Sequence, residues 1–272
     1  MAKVEEDVKY LVFDIETVVD GDRVNRVIYP GQSLGDREAR EKYAAARLAD
    51  YGSDFIPLTY HVPVSIAVAK IAADFSMINL QSLDEKESRP HKMTHDFWHG
   101  WKQYICPCLV TFNGRGFDLP VMEMAAYRYG VNIKRWLAPG SKLYEQPRYR
   151  YNDGGHIDLQ ELLTNFGAGR FHGGLNLAAT ILGKPGKMDM QGGHVQQCYD
   201  AGQLDEIHGY CRCDVLDTYF VFLRTRVMTG EITREREQQI VADTKTWLEN
   251  KAESIQGVST YLKHWGDWVN PW

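Results

Sequence analysis

Short apolar runs recur along this chain, and they predict its strands. Runs of about four to eight residues that are rich in β-branched and aromatic side chains are typical of buried or half-buried strands. The predicted strands are 10–13 (YLVF), 64–71 (VSIAVAKI), 75–80 (FSMINL), 108–112 (CLVTF) and 155–159 (GHIDL).

Helices are predicted where helix-forming residues dominate or where the apolar spacing lengthens to that of a helix. The piece DREAREKYAAARLADY is rich in Ala, Arg and Glu, and Thr94 is predicted to be the N-cap of the next helix. Three neighbouring strands followed by alternating helix and strand predict an α/β fold, in which a mixed sheet is flanked by helices. The predicted helices are 36–51, 94–104, 118–129, 159–166, 175–182 and 204–227.

Two segments lie outside this pattern. Residues 21–60 form a long insertion between the first two strands, and connections of that length are usually functional or mobile. The tail from Thr229 predicts one polar helix that ends in the Trp-rich sequence HWGDWVNPW. We expect this tail, residues 229–272, to pack on the core as a helical appendage.

Composition narrows the class of protein. With 272 residues and 44% hydrophobic content, the chain can bury a core of one large domain, or one domain plus an appendage. No apolar run approaches the roughly 20 residues that span a bilayer, so no membrane partner is expected. The N-terminal MAKVEEDVKY lacks the features of a signal peptide, which predicts a cytoplasmic protein with reduced cysteines.

Charge is uneven along the chain. With a formal net charge of −5, the chain as a whole lacks the excess of positive charge that is typical of nucleic-acid-binding domains. Between residues 131 and 187, however, eight Lys and Arg residues stand against four Asp and Glu residues, a local balance of +4. Two interpretations stay open, a solvated face and a rim that follows phosphates.

Carboxylates occur where burial would be costly. Asp14 and Glu16 are two residues apart at the end of an apolar run, so on a strand they point to the same face. Asp118 follows the fourth predicted strand, and Tyr210 and Asp214 are four apart on a predicted helix. Taken separately, each acid has an ordinary structural explanation. Asp14 and Glu16 could mark a strand that ends at the surface, Asp118 could be an N-cap, and Asp214 could be a solvated helix residue. Brought together, they would repel one another unless divalent cations, which prefer oxygen ligands, balanced them.

Three motifs carry a resemblance to a known group of enzymes. FDIET, NGRGFD and YCRCD, in this order, resemble the three exonuclease motifs of the DEDD superfamily of 3′–5′ exonucleases. The resemblance covers roughly residues 8–228. With the added GHIDL, it is strongest to the proofreading exonuclease domains of family-B DNA polymerases and to the stand-alone predicted exonucleases related to them.

The superfamily has two branches, and this chain resembles the tyrosine branch. One branch has Tyr four positions before the last aspartate, and the other has His five positions before it. Counting back from Asp214 gives Tyr210 at minus four and Gly209 at minus five. His208 is out of register for the histidine role, so we expect it to be structural or solvent-exposed.

The resemblance implies a ribonuclease H-like fold and hydrolysis of the terminal phosphodiester at a 3′ end, with release of nucleoside 5′-monophosphates. By similarity, Asp14 would bridge two Mg²⁺ ions, which Mn²⁺ can replace. Glu16 and Asp214 would bind the ion that carries the attacking water, and Asp118 would support the other ion through water. Tyr210 would aim that water, since a phenol of pKa about 10 is a poor base at neutral pH.

The resemblance also implies contacts to the substrate. The backbone of Ile15 and the side chain of Thr17 would meet the terminal nucleotide, and Asn113 and Phe117 would contact its sugar and base. Phe117 is equally well explained as a core residue.

On this reading, residues 1–228 form the exonuclease domain. The residues that follow are too few for a polymerase domain, so any proofreading would need a partner protein in replication or repair. Single-stranded DNA is the expected substrate. Two alternatives remain: an exonuclease that trims RNA, and a catalytically silent module that binds nucleic acid.

Overall fold

A single mixed sheet forms the centre of the molecule. The computed structural model describes residues 8–186 and 192–272. The strands are β1 (Val8–Val19), β2 (His61–Ala72), β3 (Met77–Ser82), β4 (Cys108–Thr111) and β5 (His156–Asp158).

The strand order is β3-β2-β1-β4-β5. The pairs β1–β2 and β2–β3 are antiparallel, whereas β1–β4 and β4–β5 are parallel. Three antiparallel strands followed by two parallel ones, with helices on both faces, make the ribonuclease H-like arrangement, so the predicted fold class is confirmed.

Helices cover both faces of this sheet. Those of the described residues are α1 (Gly21–Ile28), α2 (Asp36–Tyr51), α3 (Pro90–Gln103), α4 (Asp118–Tyr129), α5 (Lys134–Leu137), α6 (Leu159–Leu163), α7 (Gly174–Ile181), α8 (Val195–Asp200), α9 (Leu204–Met228), α10 (Arg234–Glu249) and α11 (Val258–Lys263). The predicted bounds of α2 and α4 are confirmed, and α9 extends one residue beyond its prediction.

The alternation of side chains along β1 builds a separate apolar cluster on each face of the sheet. Val12 packs in the cluster that contains most of the buried apolar side chains of α9, including Tyr219. Phe13 packs on the other face, in the cluster that α3 and α4 share with Trp136. Because α9 is buried nearly all round, it is the helix on which the other elements of its layer pack.

The first strand is longer than predicted, which changes the position of its acids. The prediction ended the strand at Phe13, but antiparallel pairing with β2 continues to Val19 opposite His61. That pairing satisfies the backbone beyond the apolar run, so Asp14 and Glu16 lie within β1 rather than at its end.

Other elements also differ from the prediction: α6 ends at Leu163 instead of residue 166, and larger differences concern α3, β3 and the tail. Thr94 is not an N-cap: α3 begins at Pro90, and the buried Thr94 hydroxyl donates to the Pro90 carbonyl. β3 begins at Met77, because Phe75 adopts a positive φ of 68° in the turn before it. The tail contains two helices, α10 and α11, instead of one.

The insertion is folded onto the rest of the protein. It contains α1, which was not predicted, and α2. Asp36, the first residue of α2, accepts a hydrogen bond from the Gly21 backbone N–H at 2.7 Å. Arg40 bonds Asp36 within α2 and also forms an ion pair of 3.1 Å with Asp200 of α8. The insertion is therefore connected to the segment that leads into α9.

The tail approaches α9 through two glycines. Gly257, which precedes α11, has a φ of +88°, and a Cβ placed there would lie 2.6 Å from the Gly209 carbonyl oxygen. A contact of that length between a side chain and backbone forces one of them to move. Only glycine at position 257 therefore lets the tail lie this close to α9.

We expect Gly257→Ala to destabilise the protein by more than the strain of a positive φ alone, which is about 1 to 3 kcal/mol. Gly230→Ala is the matched control, because Gly230 also has a positive φ, 78°, but no atom lies within 4 Å of its added Cβ. Denaturant unfolding of both variants measures the difference. Equal losses of stability would show that the backbone contact to Gly209 is unimportant.

Candidate active site

Three carboxylates from two elements converge between β1 and α9. Asp14, Glu16 and Asp214 each place an oxygen atom within 4.8 Å of the others. Asp14 and Glu16 reach this position because residues two apart on a strand share a face, and that face packs on α9. Asp214 comes from the part of α9 that crosses β1. The structure thus brings together three of the four predicted acidic residues in one cluster.

The fourth acid lies beside this cluster, where β1 separates from β4. The parallel pairing of these strands ends at Val12 opposite Val110. Beyond that point the Ile15 N–H donates to Asp118 Oδ1 at 3.1 Å, across 103 residues of sequence. Asp118 is the first residue of α4 and is only 3% exposed. Its carboxylate therefore takes the place of a neighbouring strand as the hydrogen-bond acceptor.

Burial and mutual repulsion make this site unfavourable for negative charge. Burial raises the pKa of Asp14 well above its ordinary range, and Asp118, Asp214 and Glu16 raise it further. Burial also raises the pKa of Asp118 to about 7. The Cys211 thiol, 3.6 Å from Asp14 Oδ2, provides only a weak donor.

This set of donors fits divalent metal ions. All of its donor atoms are carboxylate oxygens, the ligands that hard cations such as Mg²⁺ and Mn²⁺ prefer. A bound cation would also remove the repulsion that raises the pKa of Asp14. Asp14, Glu16 and Asp214 are the residues that would hold it, with Asp118 next to them.

Tyr210 lies one helical turn before Asp214 and is buried. The two residues share a helical face, as their four-residue spacing predicted, and the Tyr210 hydroxyl hydrogen-bonds to the Asp214 carboxylate. Burial and the nearby carboxylates of Asp214, Glu16 and Asp14 raise the pKa of Tyr210. The phenol therefore stays protonated near neutral pH and is available as a hydrogen-bond donor.

Asp158 organises the loop that leads to Asp118, and sequence reasoning missed this role. Its two carboxylate oxygens accept hydrogen bonds from the backbone N–H groups of Asn113 and Arg115, at 3.0 and 2.9 Å. It also caps α6. The signal was an aspartate at the end of the strand-like GHIDL with a helix after it, which is typical of an N-cap.

The proposed substrate residues have other contacts in the structure. The Ile15 side chain is buried in the core and its N–H is engaged by Asp118. Asn113 is exposed, has a φ of +64°, and accepts a hydrogen bond from Gln160 at 3.2 Å. Of these two, only Asn113 therefore presents a side chain at the surface.

Thr17 and Phe117 meet around His61, the first residue of β2. The Thr17 hydroxyl hydrogen-bonds to His61 Nδ1 at 2.8 Å, and the Phe117 ring stands edge-on to the imidazole with 6.3 Å between centroids. Phe117 also packs against the apolar cluster of α3 and α4, as its interpretation as a core residue predicted. No sequence signal singled out His61.

His208 is a buried structural residue. Its two ring nitrogens hydrogen-bond to the hydroxyls of Ser65 and Ser88, both at 2.8 Å. Burial lowers the pKa of His208, so the ring is neutral. The structural alternative for this residue is confirmed.

Comparison with known families decides the assignment of this chain. Residues 53–272 match the family described as predicted 3′–5′ exonuclease related to the exonuclease domain of PolB. The chain belongs to this family. The matched range contains Asp118, Tyr210 and Asp214, whereas Asp14 and Glu16 lie before it. The predicted relationship to this group of exonucleases is confirmed.

One solved structure similar to this family member is that of the family B DNA polymerase from the hyperthermophilic archaeon Pyrobaculum calidifontis. The two share 15% sequence identity with a TM-score of 0.49, over 80% of this chain and 24% of the polymerase chain. No curated protein matches the chain. Among the described residues, no helix is long and apolar enough to cross a membrane.

We expect Asp118→Asn to stabilise the metal-free protein at neutral pH. Folding raises the pKa of Asp118 from 3.8 to about 7, so the folded state holds a proton that the unfolded state has lost. The free energy of unfolding of the wild type should therefore fall as pH rises between these values, relative to the variant. The asparagine still offers Oδ1 to the Ile15 N–H.

Urea unfolding in EDTA at several pH values between 4 and 8 tests the direction of this pH dependence. Asp205→Asn, at an exposed residue in the first turn of α9, is the control, and its stability should differ from that of the wild type by the same small amount at each pH. A stability difference between Asp118→Asn and wild type that does not change with pH would contradict the raised pKa.

Proposed function

We propose that this protein is a metal-dependent 3′–5′ exonuclease that removes nucleoside 5′-monophosphates from single-stranded DNA. The observation that carries the proposal is the convergence of Asp14, Glu16 and Asp214 within 4.8 Å, with Asp118 buried beside them. Membership of the exonuclease family supports the reaction class and its direction.

The carboxylates act together as a ligand set for two ions. Asp14 is the acid on which the charges of Asp118, Asp214 and Glu16 all act, so it would contribute to holding both ions. Two Mg²⁺ or Mn²⁺ ions, when bound, would make hydroxide available near neutral pH and stabilise charge on the attacking and leaving oxygens. Asp118, outside the closest cluster, would bind through water.

Tyr210 orients the nucleophile. Its hydroxyl is next to Asp214, and its raised pKa excludes a role as general base at neutral pH. A neutral phenol can hydrogen-bond a water molecule and fix its direction of attack. That contribution is one of position rather than of proton transfer.

The chain has kept a complete set of candidate residues, which disfavours the silent binding module. Four carboxylates and Tyr210 come together from β1, α4 and α9, and their repulsion without a cation is costly. A module without turnover would gain nothing from that cost. DNA is proposed over RNA from the relationship to polymerase exonuclease domains.

We expect Asp14→Asn to abolish cleavage, with kcat at least about 1,000-fold lower, because it removes the bridging ligand. The assay follows 5′-labelled single-stranded DNA and RNA with Mg²⁺, Mn²⁺ or EDTA. The wild type should produce a metal-dependent ladder that shortens from the 3′ end. Release of the 5′ label as a mononucleotide would contradict the polarity.

Asp205→Asn is the matched control, since this exposed acid lies on α9 away from the cluster. A purified Asp205→Asn sample should retain wild-type turnover. Mn²⁺ should raise the melting temperature of the wild type more than that of Asp14→Asn, because a ligand that binds the folded state stabilises it. Equal shifts would place the ion elsewhere.

We expect Tyr210→Phe to lower kcat by about 10- to 100-fold with a smaller change in KM, because it loses orientation of the water but no metal ligand. Single-turnover cleavage under saturating Mn²⁺ measures this step. The pH profile should keep its shape. An unchanged single-turnover rate would remove Tyr210 from the reaction.

A further inference from the structure

Three aromatic side chains form an exposed surface near the candidate active site. They are Tyr149, Tyr151 and Phe166, together called the aromatic rim, and the Tyr151 ring stands edge to face with the other two rings. The ring centroids of Tyr149 and Tyr151 are 5.7 Å apart, and those of Tyr151 and Phe166 are 4.7 Å apart. Tyr151 is 56% exposed and Phe166 is 39% exposed. The rim therefore presents aromatic surface to solvent.

The folded core does not account for this surface. None of the three rim residues belongs to the apolar clusters of the described residues. Two further apolar side chains of the same segment, Leu143 and Tyr144, are 66% and 58% exposed. Grouped exposed apolar residues mark interaction sites more often than isolated ones do.

The rim is attached to the loop that leads to Asp118. Arg115, three residues before Asp118, donates through its guanidinium to the carbonyls of Arg148 and Arg150, at 3.2 and 3.4 Å. These two carbonyls belong to the residues that flank Tyr149. A strand that leaves the candidate active site along this loop would therefore meet the rim.

One carboxylate reinforces that attachment. Glu161 Oε2 pairs with Arg115 at 2.9 Å and Glu161 Oε1 pairs with Arg150 at 2.9 Å. Arg150 also donates to the Phe166 carbonyl. Both halves of the rim are thus connected through Arg150 and Glu161 to the active-site loop.

The charges around the rim favour recognition of bases over phosphates. Arg150 is paired with Glu161, and Arg148 is paired with Glu123 at 2.9 Å. The two guanidiniums that flank Tyr149 in sequence are therefore already engaged by carboxylates. Aromatic rings, by contrast, stack on any nucleobase whose face is open.

We propose that the aromatic rim stacks on unpaired nucleobases of the substrate strand, a few nucleotides away from its 3′ end. This proposal rests on the proposed exonuclease function and adds a reason why single strands are preferred over duplexes. In a duplex both faces of every base inside the end are covered by its neighbours, so a paired strand offers the rim no open face a few nucleotides from its 3′ end. The enzyme therefore prefers single strands through contacts outside the carboxylate cluster.

The test is direct binding without turnover. The dissociation constant of a 5′-fluorescein-labelled mixed-sequence DNA of about 12 nucleotides is measured in EDTA by fluorescence anisotropy. Tyr151→Ala should weaken binding by about 5- to 150-fold, the range for loss of one stacked base. Tyr151→Phe keeps the ring and should bind like the wild type.

Two further binding measurements distinguish base stacking from contacts to the phosphate charges. The effect of Tyr151→Ala should disappear on an abasic strand of the same length, because its phosphates remain but its bases do not. The slope of log affinity against log salt should be the same for Tyr151→Ala and wild type, since no cation is lost. A matched RNA should show the same dependence on the ring as DNA.

The outcomes separate this proposal from the exonuclease proposal. Binding that depends on Tyr151, without cleavage of any strand in Mg²⁺ or Mn²⁺, would support the rim and overturn the catalytic assignment. Metal-dependent cleavage by a Tyr151→Ala protein whose affinity and KM equal those of the wild type would overturn the proposal that the rim stacks on bases. Should Tyr151→Ala melt earlier than the wild type, Phe166→Ala takes its place, and an unchanged affinity there overturns the rim equally.

Discussion

The main physical constraint on this structure is that it holds several carboxylates next to one another in a partly buried position. Asp14 and Glu16 lie on a core strand, and Asp214 lies on a buried helix. Asp118 accepts a hydrogen bond from the backbone N–H of Ile15, the residue between Asp14 and Glu16. The charges of Asp118, Asp214 and Glu16 all disfavour ionisation of Asp14 and raise its pKa, which its burial also raises. The surrounding apolar clusters must supply the stability that the site lacks, and a bound cation would restore part of it.

The long helix α9 makes this arrangement rigid. It crosses β1 and β2 and brings Tyr210 and Asp214 to the acids of β1. On its other sides it contacts α7, α8, α10 and α11, so its position is determined from several directions. Because helices buried on every side cannot shift without repacking their neighbours, the distance between the acids is set by the core.

The loop between β4 and α4 connects the acids with the aromatic rim. Asp158 holds its backbone, Arg115 joins it to the segment that contains Tyr149, and Asp118 ends it. One short loop thus carries both a candidate metal ligand and the anchor of the aromatic rim. In the proposed exonuclease, this loop would couple the choice of strand to the position of the scissile bond.

The sequence by itself determined the parts of this protein that follow from local periodicity. The spacing of two on β1 predicted that Asp14 and Glu16 share a face, and the spacing of four on α9 predicted the same for Tyr210 and Asp214. The helices α2 and α4 have their predicted bounds. Only the tertiary structure decided that β4 separates from β1 after Val12, so that the Ile15 N–H meets Asp118 from 103 residues away. It also decided the role of Asp158. Local patterns specify the face on which a side chain lies, whereas contacts between distant segments depend on how whole elements pack.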